Sequence, residues 1–396
     1  MAIFDFDKEV NRKNTGAIKF DWDVRMGKEG LIPLWVADMD FETPDFIIDA
    51  IKERASQGVF GYTEPLDDYY EAVIDWFKRN HNWSIDKEAI LTAPGVVYAL
   101  TIAIEAFTKP GDAIIIQEPV YYLFRKMSAH NNRKVVNSEL LYKEGRYEMN
   151  LNDFEKKIVE NNVKMYILCN PHNPGGRVWT KDELIAVGNI CKKHNVLVFA
   201  DEIHCDLTYE GHDYTPFASI SEEFANFSVS GTSASKSFNL AGLQLSNTII
   251  HNKELRDKYK RAFYASGYSE PSIFGVVATK AAYTKGDEWL KEAKEYIKGN
   301  IDFVKNYIDD NIPGVEMMVP QGTYLVWLDF SKISDNYREI ENLIEKKAKL
   351  WLDSGLMFGH SGRLWQRINV ACPRSIVEKA MNQLAFAVNE YRKNEM

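Results

Sequence analysis

Lys236 sits in Ser233-Ala234-Ser235-Lys236-Ser237-Phe238, among small hydroxyl residues beside a glycine-punctuated apolar stretch. A lysine so placed can carry a Schiff base, with hydroxyls nearby to hold a phosphate. The spacing Ser-x-x-Lys also serves serine acyl transfer, and many Ser/Lys runs are exposed turns, so the lysine alone leaves three readings open. An acidic pair upstream narrows them. Asp201-Glu202-Ile203-His204 closes an apolar run, and a carboxylate at a buried strand end is costly without a partner. A pyridinium nitrogen is such a partner. Asp201 would keep it protonated, so that the ring draws electrons from a substrate carbanion. That aspartate and a Schiff-base lysine are hallmarks of pyridoxal phosphate chemistry. His204 reads equally as a satisfied core histidine, and Glu202 as a solvated or supporting group.

Three further signals fall near candidate element ends. Leu91-Thr92-Ala93-Pro94-Gly95-Val96-Val97 passes through a Pro-Gly turn into the apolar helix Tyr98–Phe107. The amides of Val96 and Val97 would then point out of a helix N-terminus, which suits a phosphate; a plain turn is the alternative. Cys169-Asn170-Pro171-His172-Asn173-Pro174-Gly175-Gly176 enforces a rigid, non-helical loop that would present Asn173 to a strand-end crevice. In Trp365-Gln366-Arg367-Ile368-Asn369, the arginine fork suits bidentate capture of a substrate α-carboxylate. Taken alone, it reads as half of a surface ion pair. Asn173, Asp201 and Lys236 arrive in order on successive strand ends, where ligands of open parallel sheets collect.

The elements that must position these groups alternate. Ala113-Ile114-Ile115-Ile116, Met165-Tyr166-Ile167-Leu168 and Val196-Leu197-Val198-Phe199-Ala200 read as buried strands. Between the last two, Thr180-Lys181-Asp182-Glu183 has capping-box spacing and opens a helix to about His194, with Leu184, Val187, Ile190 and Cys191 on its core face. Strand–helix–strand at this density implies an α/β fold with a mainly parallel sheet covered on both faces. The final hundred residues read as α+β: a long charged helix from about Gly286 to Asp309, a strand over Gly322–Leu328, a helix near Ile340–Ser354 and the segment Leu364–Val370. Without a Pro/Ser-rich linker, the two parts should share an extensive interface.

With 396 residues, 45% hydrophobic and 27% charged, the chain has ordinary soluble composition and room for two domains. A net charge of -9 argues against a nucleic-acid partner, which needs a basic surface. Four scattered cysteines without a CxxC pair argue against zinc and disulfide frameworks; His204-Cys205 lacks a second ligand pair, so no metal is expected. The first five residues lack a basic region followed by an apolar one, and no run approaches the ~18 apolar residues of a membrane span. A reducing cytoplasm is the simplest compartment.

At these residues the chain resembles a fold-type I pyridoxal-phosphate enzyme of the class I/II aminotransferase superfamily, and most closely its MalY/PatB cystathionine β-lyase (C–S lyase) branch. The supporting strings run in family order. They are Trp35-Val36-Ala37-Asp38-Met39-Asp40-Phe41, Gly61-Tyr62-Thr63, Asn170 through Trp179, Asp201-Glu202-Ile203-His204, Ser233 through Leu243, Gln321-Gly322-Thr323-Tyr324 and Arg367 through Arg374. The resemblance implies a large domain with a seven-stranded-type sheet over residues 46–285, which binds pyridoxal 5′-phosphate. Residues 286–396 would form a small α+β domain, joined by the N-terminal segment 1–45.

It implies roles as well. Lys236 would bond the cofactor and act as the catalytic amine. Asp201 would pair with the ring nitrogen, and Asn173 and His204 would face the 3-oxygen side. Tyr121 would stack on the ring. Gly95, Val96, Val97 and Ser233 would hold the phosphate, helped by Tyr62 from the neighbouring subunit of a homodimer. Tyr121 and Tyr62 are thereby catalytic candidates beside Lys236. Arg367, Asn173 and Ala37 would bind substrate. Gln244 stands where many aminotransferases place a phosphate-binding arginine, so hydroxyls and helix-end amides should do more of the holding. Gly176 beside Gly175 should loosen its loop slightly. The implied activity is β-cleavage of L-cystathionine or related cysteine S-conjugates to a thiol, pyruvate and ammonia. An aminotransferase on the same scaffold and a cofactor-binding regulatory protein with little turnover are the alternatives.

Overall fold

The computed structural model describes residues 4–395, with side chains through residue 393; residues 1–3 of the N-terminal reading, and residue 396, lie outside the described residues. Seven strands form the central sheet: β1 (Ile90–Ala93), β2 (Ala113–Ile116), β3 (Lys134–Asn137), β4 (Val163–Cys169), β5 (Leu197–Asp201), β6 (Ser228–Thr232) and β7 (Ser246–Ile249). Their spatial order is β1-β7-β6-β5-β4-β2-β3. Only β7 runs against its neighbours; the other pairings are parallel.

Alternate side chains of one strand enter opposite cores, as the pleat requires. Ile115, Tyr166, Val198 and Ala200 join one apolar cluster, and Ile114, Met165, Ile167 and Phe199 another. The first cluster takes Leu184, Val187 and Cys191 from the helix Lys181–Lys193. That helix starts where the capping box places it. Thr180 Oγ1 accepts from the Glu183 amide at 3.2 Å, and Glu183 Oε2 accepts from the Thr180 amide at 2.8 Å. The second cluster takes Val96, Ala99 and Leu100 from the helix Val96–Phe107.

A smaller antiparallel sheet contains β8 (Glu316–Met318), β9 (Leu325–Asp329), β10 (Asp353–Ser354) and β11 (Trp365–Asn369), in the order β8-β9-β11-β10. The long charged helix spans Asp287–Asn311. The helix expected near Ile340–Ser354 is shorter. It runs Tyr337–Asn342, widens into a π-type turn at Leu343–Lys347, and gives way to extended chain. Lys349 takes a left-handed φ of 56°, Leu350–Trp351 pairs in parallel with Ile32–Pro33, and Asp353 pairs with Arg367. Strand pairing with residues far away in sequence overrides the local helical pattern. One apolar cluster runs from Leu34 and Trp76 through Phe238 to Trp289, Ile368 and Val388, so the N-terminal segment, central part and C-terminal part share a core.

Candidate active site

β5 ends on Asp201, level with Cys169 of β4 and Gly231 of β6. A side chain at Gly231 would bring its Cβ to 2.7 Å from Val96 Cγ1, so glycine lets the helix Val96–Phe107 seat closely on the sheet. That helix has Gly95 at its N-cap and no side-chain cap, which leaves the Val96 and Val97 amides without an intrahelical partner. Lys236 lies on the short helix Ala234–Ser237 after β6. These groups line one cavity of about 460 Å³, together with Tyr121, Asn173 and His204. Ala37 and Arg367 close it from the N-terminal segment and the smaller sheet.

The floor is electrostatically unusual. Burial pulls the Lys236 ammonium down to about 8, against the opposing pull of Asp38 and Asp201. Burial lifts the Asp201 carboxyl to about 7. Asp201 accepts one hydrogen bond, from the Ile203 amide at 3.2 Å. Lys236 Nζ donates to the Ala37 carbonyl at 2.6 Å, which also accepts from the Tyr324 hydroxyl at 2.9 Å. His204 is buried with Nδ1 unpartnered among the described residues. Burial, Lys236 and Arg367 hold its pKa well below the usual range, so the ring is neutral and is not a satisfied core histidine. Burial also raises the Tyr121 phenol.

Several expectations need correction. Ser233 does not face the cavity. Its Oγ donates to Leu245 O at 2.6 Å and accepts from the Ser235 amide at 3.0 Å, while Ser235 lines the cavity instead. With Lys236 bonded to Ala37, no Ser233–Lys236 dyad exists for acyl transfer. Tyr62, expected at a neighbouring subunit's phosphate, needs no such correction: it is 98% exposed and lies outside this chain's own cavity. Glu202 is fully buried rather than solvated. Its Oε1 accepts from the Phe217 amide at 2.8 Å, and burial raises its pKa to about 7. Gly176 does not loosen its loop. It has φ 64°, and an added Cβ would fall 2.4 Å from Pro320. Its amide donates to His172 O at 2.7 Å, and its carbonyl accepts from Gln321 and Gly322.

Arg367 is neither a surface ion pair nor an open fork. Nη1 donates to Asn173 Oδ1 at 3.0 Å and Nη2 to the Trp35 carbonyl at 2.8 Å, while Nη2 also pairs with buried Asp353. Gln244 does line the cavity, and the next arginine, Arg256, bonds the Ile250 and His251 carbonyls instead. Ile18, Trp22, Trp35, Tyr122 and Asp353 are cavity residues that sequence reasoning missed as site residues. Of these, only Trp35 lies within a string that carries the resemblance.

A second buried cluster is joined to the lysine's helix through Ser237. Asp206 accepts from Trp76 Nε1 at 2.9 Å, contacts His81 Nε2 at 2.7 Å and accepts from the Ser237 hydroxyl. Cys205 stands beside them at metal-ligand range, but the Asp206 oxygens already have these partners. No helix among the described residues is long and apolar enough to cross a membrane.

A depressed lysine and a raised aspartate at the carboxyl edge of a mainly parallel seven-stranded sheet, beside a free helix N-terminus, have the architecture of fold-type I pyridoxal-phosphate enzymes. The chain belongs to the aminotransferase class I and II family, whose model matches residues 29–384. It is 39% identical to cystathionine β-lyase PatB of Bacillus subtilis, over 97% of this chain and 100% of that protein. It is 32% identical to protein MalY of Escherichia coli, over 98% of this chain and 100% of that one. Among solved structures it resembles cystalysin from Treponema denticola, which contains a pyridoxal 5′-phosphate cofactor, with a TM-score of 0.94 and 35% identity over 98% of this chain and 99% of that one.

Proposed function

We propose that the protein is a pyridoxal 5′-phosphate-dependent carbon–sulfur β-lyase that cleaves L-cystathionine or related cysteine S-conjugates to a thiol, pyruvate and ammonia. The observation that carries this reading is the Lys236–Asp201 pair in one cavity with Arg367. Full-length similarity to a cystathionine β-lyase favours the lyase over a transaminase.

The residues present fit the cofactor. Asp201 is a buried carboxylate with one backbone bond, which a cationic ring nitrogen would complete. The Val96 and Val97 amides suit a phosphate, and a volume of about 460 Å³ falls within the range of small-molecule sites. When bound, pyridoxal phosphate supplies a ring that accepts negative charge developing at the substrate α-carbon.

The rest is done by this chain. Lys236, with its pKa drawn down to about 8, would hold the cofactor and take the proton from the substrate α-carbon. Arg367 and Asn173, already joined, orient the α-carboxylate, and the Ala37 carbonyl holds Lys236 Nζ in place. Tyr121 and His204, which line the same cavity, would flank the ring, and the apolar surfaces of Trp22 and Trp35 would help exclude water from it.

Incubation with L-cystathionine and no keto acid tests the activity. Catalytic formation of pyruvate and thiol is expected; turnover that requires a keto acid and releases no thiol would establish the aminotransferase reading instead. The same proposal makes the enzyme a homodimer. Tyr62, with exposed Val59, Phe60 and Leu66 nearby, forms an apolar strip suited to a second copy, in which Tyr62 reaches the partner's phosphate. Tyr62→Ala and Lys236→Ala should each lose activity, and hybrids of the two should regain it from one intact site. Hybrids that stay inactive would place Tyr62 in its own subunit's site.

A further inference from the structure

Asp353 and Arg367 are direct cross-strand partners on β10 and β11, with side chains only 6% and 4% exposed. Their ion pair opens onto the cavity. A guanidinium clamps a carboxylate with two parallel N–H bonds along either of two edges, and both edges use Nη2. In Arg367 both Nη2 hydrogens are engaged, one by Asp353 and one by the Trp35 carbonyl. What remains is one Nη1 hydrogen and the buried Nε, which has no partner among the described residues. The guanidinium also lies over the Phe358 ring at 4.9 Å, so the fork is not free to swing toward a ligand. A substrate carboxylate that uses either edge must therefore take an Nη2 hydrogen from a present partner. The Trp35 carbonyl belongs to the backbone, whereas Asp353 is a side chain of the same chemistry as the ligand.

We propose that Asp353 is a resident stand-in for the substrate α-carboxylate: it occupies Arg367 between substrates, and the incoming carboxylate displaces it. The inference rests on the reading of Arg367 as the α-carboxylate site. Burial works against the Asp353 charge and Arg367 alone offsets it, so Asp353 can leave the pair as a neutral acid once a ligand takes the fork. The stand-in spares Arg367 an uncompensated buried charge, weakens every carboxylate ligand alike, and so hastens departure of pyruvate.

The test uses the holoenzyme and 3-(methylthio)propionate, which has the carboxylate and thioether but no α-amine to react. Asp353→Asn should lower its inhibition constant about tenfold, the effect of about 1.4 kcal/mol. It should also lower KM for S-methylcysteine without raising kcat. Asp353→Glu, which restores the charge, should return both toward wild type, and S-methylcysteamine, which lacks the carboxylate, should bind the Asn variant and wild type alike. Arg367→Met reports on the underlying reading: an unchanged inhibition constant there would sink the carboxylate-site assignment and the proposal with it. If Arg367→Met weakens the inhibitor while Asp353→Asn leaves it unchanged or weaker, the stand-in is overturned and Asp353 only orients the fork. Asp353→Ser replaces the Asn variant if that protein does not retain cofactor, and is read by the same criteria.

Discussion

The floor and the roof of the cavity handle charge in opposite ways. On the floor, Asp201 and Lys236 each make one hydrogen bond, to backbone, and burial drives their pKa values toward each other, to about 7 and about 8. In the roof, Arg367 is bonded to Asn173, Trp35 and Asp353. Unpaired buried groups are poised to change protonation; paired ones are poised to exchange partners. Chemistry belongs to the first arrangement and recognition to the second.

Substitutions can break this contrast. The largest effect should follow loss of the floor amine. Lys236→Ala should reduce pyruvate formation from cystathionine more than about 10,000-fold, in line with loss of both attachment and acid–base catalysis. Retention of more than a hundredth of wild-type turnover would remove Lys236 from the chemistry. Arg367→Met should instead raise KM about 30-fold with a smaller change in kcat, the loss of a charge-assisted bond; an equal fall in kcat would show that the roof acts in the chemical step.

pH sharpens the contrast further. Glu202 has a folded pKa of about 7 against an ordinary 4.5. A carboxyl raised in this way favours the folded state most below its unfolded pKa, and that advantage is lost as pH rises through about 7. The linkage is worth about 3 kcal/mol across that window. Glu202→Gln should flatten the fall in melting temperature between pH 4.5 and 7. Asp201, raised to about 7 as well, keeps part of the slope in that variant, and an unaltered slope would mean that Glu202 adds nothing to it. The smallest change lies outside both regions: Thr180→Ala removes the cap of the helix Lys181–Lys193 and should cost about 1 kcal/mol of stability, with KM unaltered. A shifted KM would show that this helix is coupled to the cavity.

The elements that carry the floor were largely legible in the chain. Asp201 closes the strand its apolar run predicts, and Lys236 follows the next strand on the short helix Ala234–Ser237; away from the cavity, β2 matches its isoleucine run and the Thr180 cap starts its helix. Local pattern misled at the roof. The segment near Ile340–Ser354 looks helical, but Leu350–Trp351 and Asp353–Ser354 pair with strands remote in sequence. Ser233 carries the motif's hydroxyl, yet the N-cap position turns it toward Leu245.

Residue types near element ends were determined by sequence alone: an asparagine, an aspartate and a lysine in order, and the alternation of strand and helix. Periodicity, capping and turn chemistry act over a few residues and can be read without the fold. Charge states and partners were decided only by tertiary structure. Burial depends on what packs from elsewhere in the chain, and only folding brings Asp353, Trp35 and Asn173 onto the one guanidinium of Arg367.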